Sequence, residues 1–203
     1  MKRVLWLTVL ALALPLTAFA DSSVDFTNSG GILAGSNTGL SLTGSALIAV
    51  NGLNGLGLVT GSNLGSVSFG TGALTGGSLQ MGGTFAAGGS FTITGNGSSG
   101  LPNGTIFSGT FSGPATWTLV TLANGTHNYT LTGIVAGTLG NSFYTNGVTV
   151  QLTINTGHGF FNGRTHISSG DTNVVVPEPG SLSLLGTGLL GLAGVVRRKL
   201  KAS

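Results

Sequence analysis

The chain has 203 residues, of which 38 are glycine and none is cysteine, and only 5% are charged. The formal net charge of +3 points to a polyanion partner, but six of the seven cations lie at the chain ends: Lys2, Arg3, Arg197, Arg198, Lys199 and Lys201. Between Asp21 and Pro179, Arg164 against Asp21, Asp25, Asp171 and Glu178 leaves a net charge of −3, which removes the electrostatic basis of nucleic-acid binding.

At the N-terminus, Met1-Lys2-Arg3 is a basic start and Val4 to Leu16 an apolar run too short to span a bilayer. Ala18-Phe19-Ala20 then gives a small-x-small cleavage site before Asp21. This is the layout of a secretory signal peptide, predicted over residues 1–20, with the translocon and signal peptidase as its partners. Export through an oxidising compartment would permit disulfides, but without cysteine the body must rely on burial and backbone pairing.

The body, predicted as one domain over 21–175, reads as all-β. Gly, Ser, Thr and Asn dominate it, and no stretch carries a capped 3.6-residue pattern. Strands are predicted at Leu40 to Val50, Ser66 to Phe69, Thr84 to Phe85, Ser90 to Thr94 and Thr105 to Phe111. Glycine is so dense over 30–90 that strand register is poorly specified, and short strands, long loops or partial disorder are expected there. Later in the chain the alternation sharpens. Val148, Val150, Leu152 and Ile154 share one face of a strand, as do Tyr129, Leu131, Val135 and Leu139 of another. Asn-Gly, a strong hairpin signal, occurs at Asn51, Asn54, Asn96, Asn103, Asn124, Asn146 and Asn162. The last three predict a meander of strands at 115–122, 128–139, 148–156 and 164–168. The expected fold is an antiparallel β-sandwich or open barrel with Gly-rich loops, with a β-solenoid as the alternative.

Few residues of the body offer chemistry. His127 follows a turn and reads as a solvated turn residue. His158 and His166 flank the turn at Asn162 and, with Asp171, sketch a two-His, one-Asp metal site without a second shell to fix it. The letters of a dinucleotide fingerprint at Gly186 to Gly191 lie in an apolar segment that follows no strand, so they carry no cofactor site. No cofactor, metal site or catalytic residue is assigned, and the body is expected not to be an enzyme. A secreted hydrolase would need carboxylates, or a His–Asp pair and a nucleophile, converging in one pocket. The Phe160-Phe161 pair between glycines is a candidate exposed aromatic platform, and Thr92/Thr94, Thr116/Thr118 and Thr130/Thr132 form Thr-x-Thr pairs.

The C-terminal 28 residues have three parts. Val176-Pro177-Glu178-Pro179 is extended, because each proline fixes φ and removes a backbone donor. Gly180 to Val196 is apolar, and as a helix would span about 25 Å, enough for a short transmembrane segment. Arg197, Arg198, Lys199 and Lys201 follow as a cytoplasmic clamp under the positive-inside rule. This tail resembles the PEP-CTERM sorting signal, which also goes under the name of an ice-binding protein C-terminal domain. Uncharged Gly/Thr-rich segments such as Phe111 to Leu119 resemble the bodies of other PEP-CTERM proteins. The resemblance implies an exosortase as processing partner, a transient single-pass anchor in the inner membrane, and release to the cell surface or extracellular matrix. It further implies a structural or exopolysaccharide-associated role. The low charge and dense Ser, Thr and Asn of the body suit contact with hydrated polysaccharide or self-association along unpaired strand edges. A carbohydrate- or ice-binding module is the alternative, and it requires an ordered aromatic or threonine face.

Overall fold

A computed structural model describes residues 22–140 and 143–176. Thirteen strands account for most of this region: β1 (Ser22–Ser29), β2 (Ile32–Ser36), β3 (Gly39–Asn51), β4 (Val59–Gly70), β5 (Leu74–Ser78), β6 (Gly82–Phe85), β7 (Gly88–Asn96), β8 (Asn103–Phe111), β9 (Ala115–Thr121), β10 (His127–Leu139), β11 (Phe143–Asn155), β12 (Arg164–His166) and β13 (Ser169–Val176). Ser23–Val175 form one compact unit.

Eight strands form a ring in the order β11, β13, β1, β3, β4, β7, β8 and β10, which the pairing of β10 with β11 closes. Neighbours run antiparallel, so the fold is a closed antiparallel barrel. It has neither the two separate sheets of the expected sandwich nor the gap of an open barrel. The solenoid alternative fails as well, since no strand stacks on a parallel copy. Closure also removes most of the free strand edges on which self-association would draw.

The remaining strands continue the staves of this barrel. β2 prolongs β1, β5 prolongs β4, β7 follows β6 in line, β9 prolongs β8, and β13 follows β12, each pair separated by two or three residues. Registers carry across the breaks. Gly70 faces Ser90 and Leu74 faces Phe85; likewise Phe111 faces Val135 and Thr116 faces Thr132. Thus five of eight long strands are interrupted at mid-height, and β3 carries an irregularity between Leu42 and Ser45. The breaks use residues that leave the ladder easily: Gly30 and Gly31 have φ of 66° and 85°, and Pro114 brings no donor.

The lower half, toward the start of β1 and the end of β13, holds a cluster of Phe69, Phe91, Phe107 and Phe111, with ring centroids 6.0–6.4 Å apart in mixed stacked and edge-on pairs. The upper half holds Trp117 stacked on Tyr129 at 5.0 Å, with Phe161 edge-on to Trp117 at 5.5 Å. An eight-stranded barrel has only enough interior for its own side chains, so large rings need small partners. Gly133 provides one such gap, because a Cβ there would lie 2.7 Å from the Phe111 ring. No buried side-chain nitrogen or oxygen among the described residues lacks a hydrogen-bond partner. Asn28, for example, donates to Ser45 at 2.7 Å.

The predicted alternation on β10 and β11 is present: Val148, Val150, Leu152, Ile154, Tyr129, Leu131, Val135 and Leu139 are all buried. The meander holds through β9, β10 and β11 but not to its fourth strand, since β12 pairs with β2 and it is β13 that pairs with β11. Its second turn is also shifted. Asn146-Gly147 is not a turn. It lies inside β11, where two residues oppose Ala136 between the pairs Val135/Val148 and Gly137/Thr145, and so forms a bulge. The strand reverses instead between Leu139 and Phe143. In residues 30–90 the expectation of loose register is overturned. There glycine serves close backbone approach: a Cβ on Gly65 would sit 1.8 Å from the Thr94 carbonyl oxygen, so only glycine permits that pairing. β1, β2, β5 and β13 were not expected.

Candidate functional site

The ends of the barrel differ. At one end lie the start of β1, the end of β13 and the connections 52–58 and 97–102. β13 ends at Val176, the residue that precedes Pro177 in the sequence. The sorting residues Pro177, Glu178 and Pro179, the clamp Arg197, Arg198, Lys199 and Lys201, and the predicted span 180–196 lie outside the described residues. So do Ala18, Ala20 and Asp21 of the predicted signal cleavage site. Among the described residues no helix is long and apolar enough to cross a membrane.

The other end gathers the β2–β3 turn, the β5–β6 turn, the β9–β10 turn and the 156–163 loop. Between them is a groove of about 330 Å³ lined by Asn37, Leu74, Gly77, Ser78, Leu79, Gln80, Phe161 and Asn162. The upper aromatic cluster forms its foundation. Trp117 Nε1 donates to the Leu79 carbonyl at 2.9 Å, and the Tyr129 hydroxyl donates to the Gln80 carbonyl at 2.6 Å. The same hydroxyl accepts the Phe161 N–H at 3.0 Å. One buried tyrosine therefore ties both walls together, which fixes the width of the groove before anything binds.

Beside the groove, His127 is buried and is not the solvated turn residue expected. Its ring lies 4.4 Å from that of Phe160 and nearly parallel to it, and its Nδ1 is 3.1 Å from the Thr121 hydroxyl. Its backbone prolongs the β10 ladder into the loop, donating to Gly157 and accepting from Thr156. The Phe160-Phe161 pair splits: Phe160 is 46% exposed and Phe161 only 1%. His158 Nδ1 lies 3.2 Å from the Gly125 carbonyl, whereas His166 sits on β12 opposite Ile32. The described residues contain no group of three or more His, Asp or Glu side chains able to hold a metal. Asp171 instead lines a second groove with Asp25, where Asn173 Nδ2 donates to Asp25 Oδ1.

The threonine pairs have an order that spacing along the chain conceals. Thr84 faces Thr116, which faces Thr132, and Thr118 faces Thr130, which faces Thr153. Two rows of hydroxyls thus cross the outer face of the barrel, about 4.8 Å apart between strands and about 6.8 Å apart along them.

A model of the PEP-CTERM protein-sorting motif matches residues 175–199. The chain carries a PEP-CTERM sorting motif. Its first matched residue belongs to β13, so the motif begins where the barrel ends. The motif implies an exported protein directed to the cell surface, with an exosortase as its processing partner. No curated protein and no solved structure matches the chain.

Proposed function

We propose that this protein is a non-enzymatic β-barrel of the cell surface or extracellular matrix, associated with exopolysaccharide. Signal peptidase removes residues 1–20. The segment 180–196 then holds the chain briefly in the inner membrane until the exosortase cuts near Pro177-Glu178-Pro179. The observation that carries this reading is the PEP-CTERM motif over 175–199, starting on the last strand of an almost uncharged barrel. A surface of hydroxyls and amides is matched to hydrated polysaccharide rather than to polyanions or membranes. Replacing Pro177-Glu178-Pro179 with alanines in the producing cell tests the reading. Uncleaved protein is expected to accumulate in the membrane fraction; undiminished release would overturn it.

The in-register threonine rows support a second reading, a module that adsorbs to ice or to an ordered carbohydrate surface. Thr118→Leu with Thr130→Leu should abolish that adsorption and leave the thermal midpoint nearly unchanged, since both side chains lie on the outer face. Adsorption equal to that of the wild type would dismiss this reading.

A further inference from the structure

We infer that the groove at the end of the barrel opposite the start of β1 binds a segment of neutral, hydroxyl-rich glycan. The inference deepens the exopolysaccharide reading above and rests on that part of it, but is independent of how the chain is sorted.

The wall chemistry selects the ligand. None of the eight lining residues is charged or titratable. An acidic or basic ligand would surrender hydration there without a countercharge, at considerable cost. The polar members are three amides, Asn37, Gln80 and Asn162, and Ser78. Each amide offers two donors and an acceptor, and among the described residues none has an intramolecular partner. Asn28, Asn96, Asn124, Asn155 and Asn173, by contrast, are engaged in hydrogen bonds within the barrel. Sugar hydroxyls both donate and accept, so they complement amides in a way that neither a carboxylate nor an ammonium does.

The apolar members Leu74 and Leu79 provide surface against which the C–H face of a sugar can pack, with half-exposed Phe160 beside buried Phe161 on the neighbouring loop. A pocket with a mostly apolar lining and a few convergent polar groups is the usual form of a small-molecule site. Pre-organisation is built in, since Tyr129 and Trp117 hold both walls from beneath through satisfied bonds.

Tryptophan fluorescence can test this in the full chain. Trp6 and Trp117 are the two tryptophans, so a Trp6→Phe background leaves only the indole whose N–H is bonded to the groove wall. The probes are neutral six-sugar oligosaccharides: α-linked glucan, β-linked glucan and β-linked N-acetylglucosamine. A six-sugar oligogalacturonate and a neutral Gly/Ser/Thr hexapeptide serve as comparators. A saturable change is expected with at least one neutral oligosaccharide and with neither comparator. Asn162→Ala and Gln80→Ala should each weaken Kd about tenfold, the value of one hydrogen bond. The pair Asn37→Ala with Asn162→Ala should abolish saturation, while Thr149→Ala on the outer face of β11 should leave Kd unchanged. An unaltered Trp117 emission maximum verifies that each variant is folded. No response to any neutral sugar would overturn the inference. So would an equal response to the acidic oligomer or the peptide, or amide variants that bind like the parent. Because secretion plays no part in the readout, its failure leaves the sorting reading standing, and the reverse also holds.

Discussion

The two halves of the barrel are built from different aromatic residues. In the lower half four phenylalanines pack on one another and carry no polar atom. In the upper half tryptophan and tyrosine replace them, and each donates to a loop carbonyl. Phenylalanine serves burial alone, whereas tyrosine and tryptophan can be buried and still position a loop. The difference teaches that the lower half supplies stability, while the upper half spends part of its core on holding a groove.

Substitutions should separate these roles. Phe91, which touches Phe69, Phe107 and Phe111, should give the largest effect: Phe91→Ala is expected to cost about 3–5 kcal/mol in urea unfolding. A loss below about 1 kcal/mol would contradict its place at the centre of the core. Gly133→Ala comes next, at about 1–3 kcal/mol, because the added methyl meets the Phe111 ring. Tyr129→Phe keeps the stacking and leaves the Gln80 carbonyl and the Phe161 N–H unpaired, for about 1–3 kcal/mol. Its signature should be local: hydrogen exchange rises at the 79–81 turn and the 156–163 loop, while β7 and β8 remain protected. Uniform exchange throughout the barrel would erase the proposed division. The smallest effect is expected for Phe160→Ala, about 1 kcal/mol or less, since that ring only half-covers His127. Limited proteolysis within 156–163 should nonetheless quicken.

Legibility in the sequence followed the same divide between local pattern and long-range contact. β10 and β11 were readable because their inward residues are large and alternate without interruption. β1 also alternates, with Val24, Phe26 and Asn28 buried, but the inward asparagine hides the period. Residues 30–90 misled because a glycine that admits a neighbouring backbone looks the same in sequence as one in a flexible loop. Gly65 differs only through Thr94, 29 positions away. Asn146-Gly147 marks a break in regular pairing, but nothing nearby in the sequence distinguishes a turn from a bulge. The groove was hidden for a similar reason. Asn37, Gln80 and Asn162 come from three connections that only the closed barrel brings together, and Phe160-Phe161 was their single visible marker. Conversely, the sorting motif was legible, because it is a linear pattern that depends on no contact distant in sequence.

The most direct test of the account is the intact mass of the protein recovered from the extracellular fraction of the producing cell. The account predicts a species that begins at Asp21 and ends close to Pro179. A secreted species that retains Arg197 to Ser203 would contradict it.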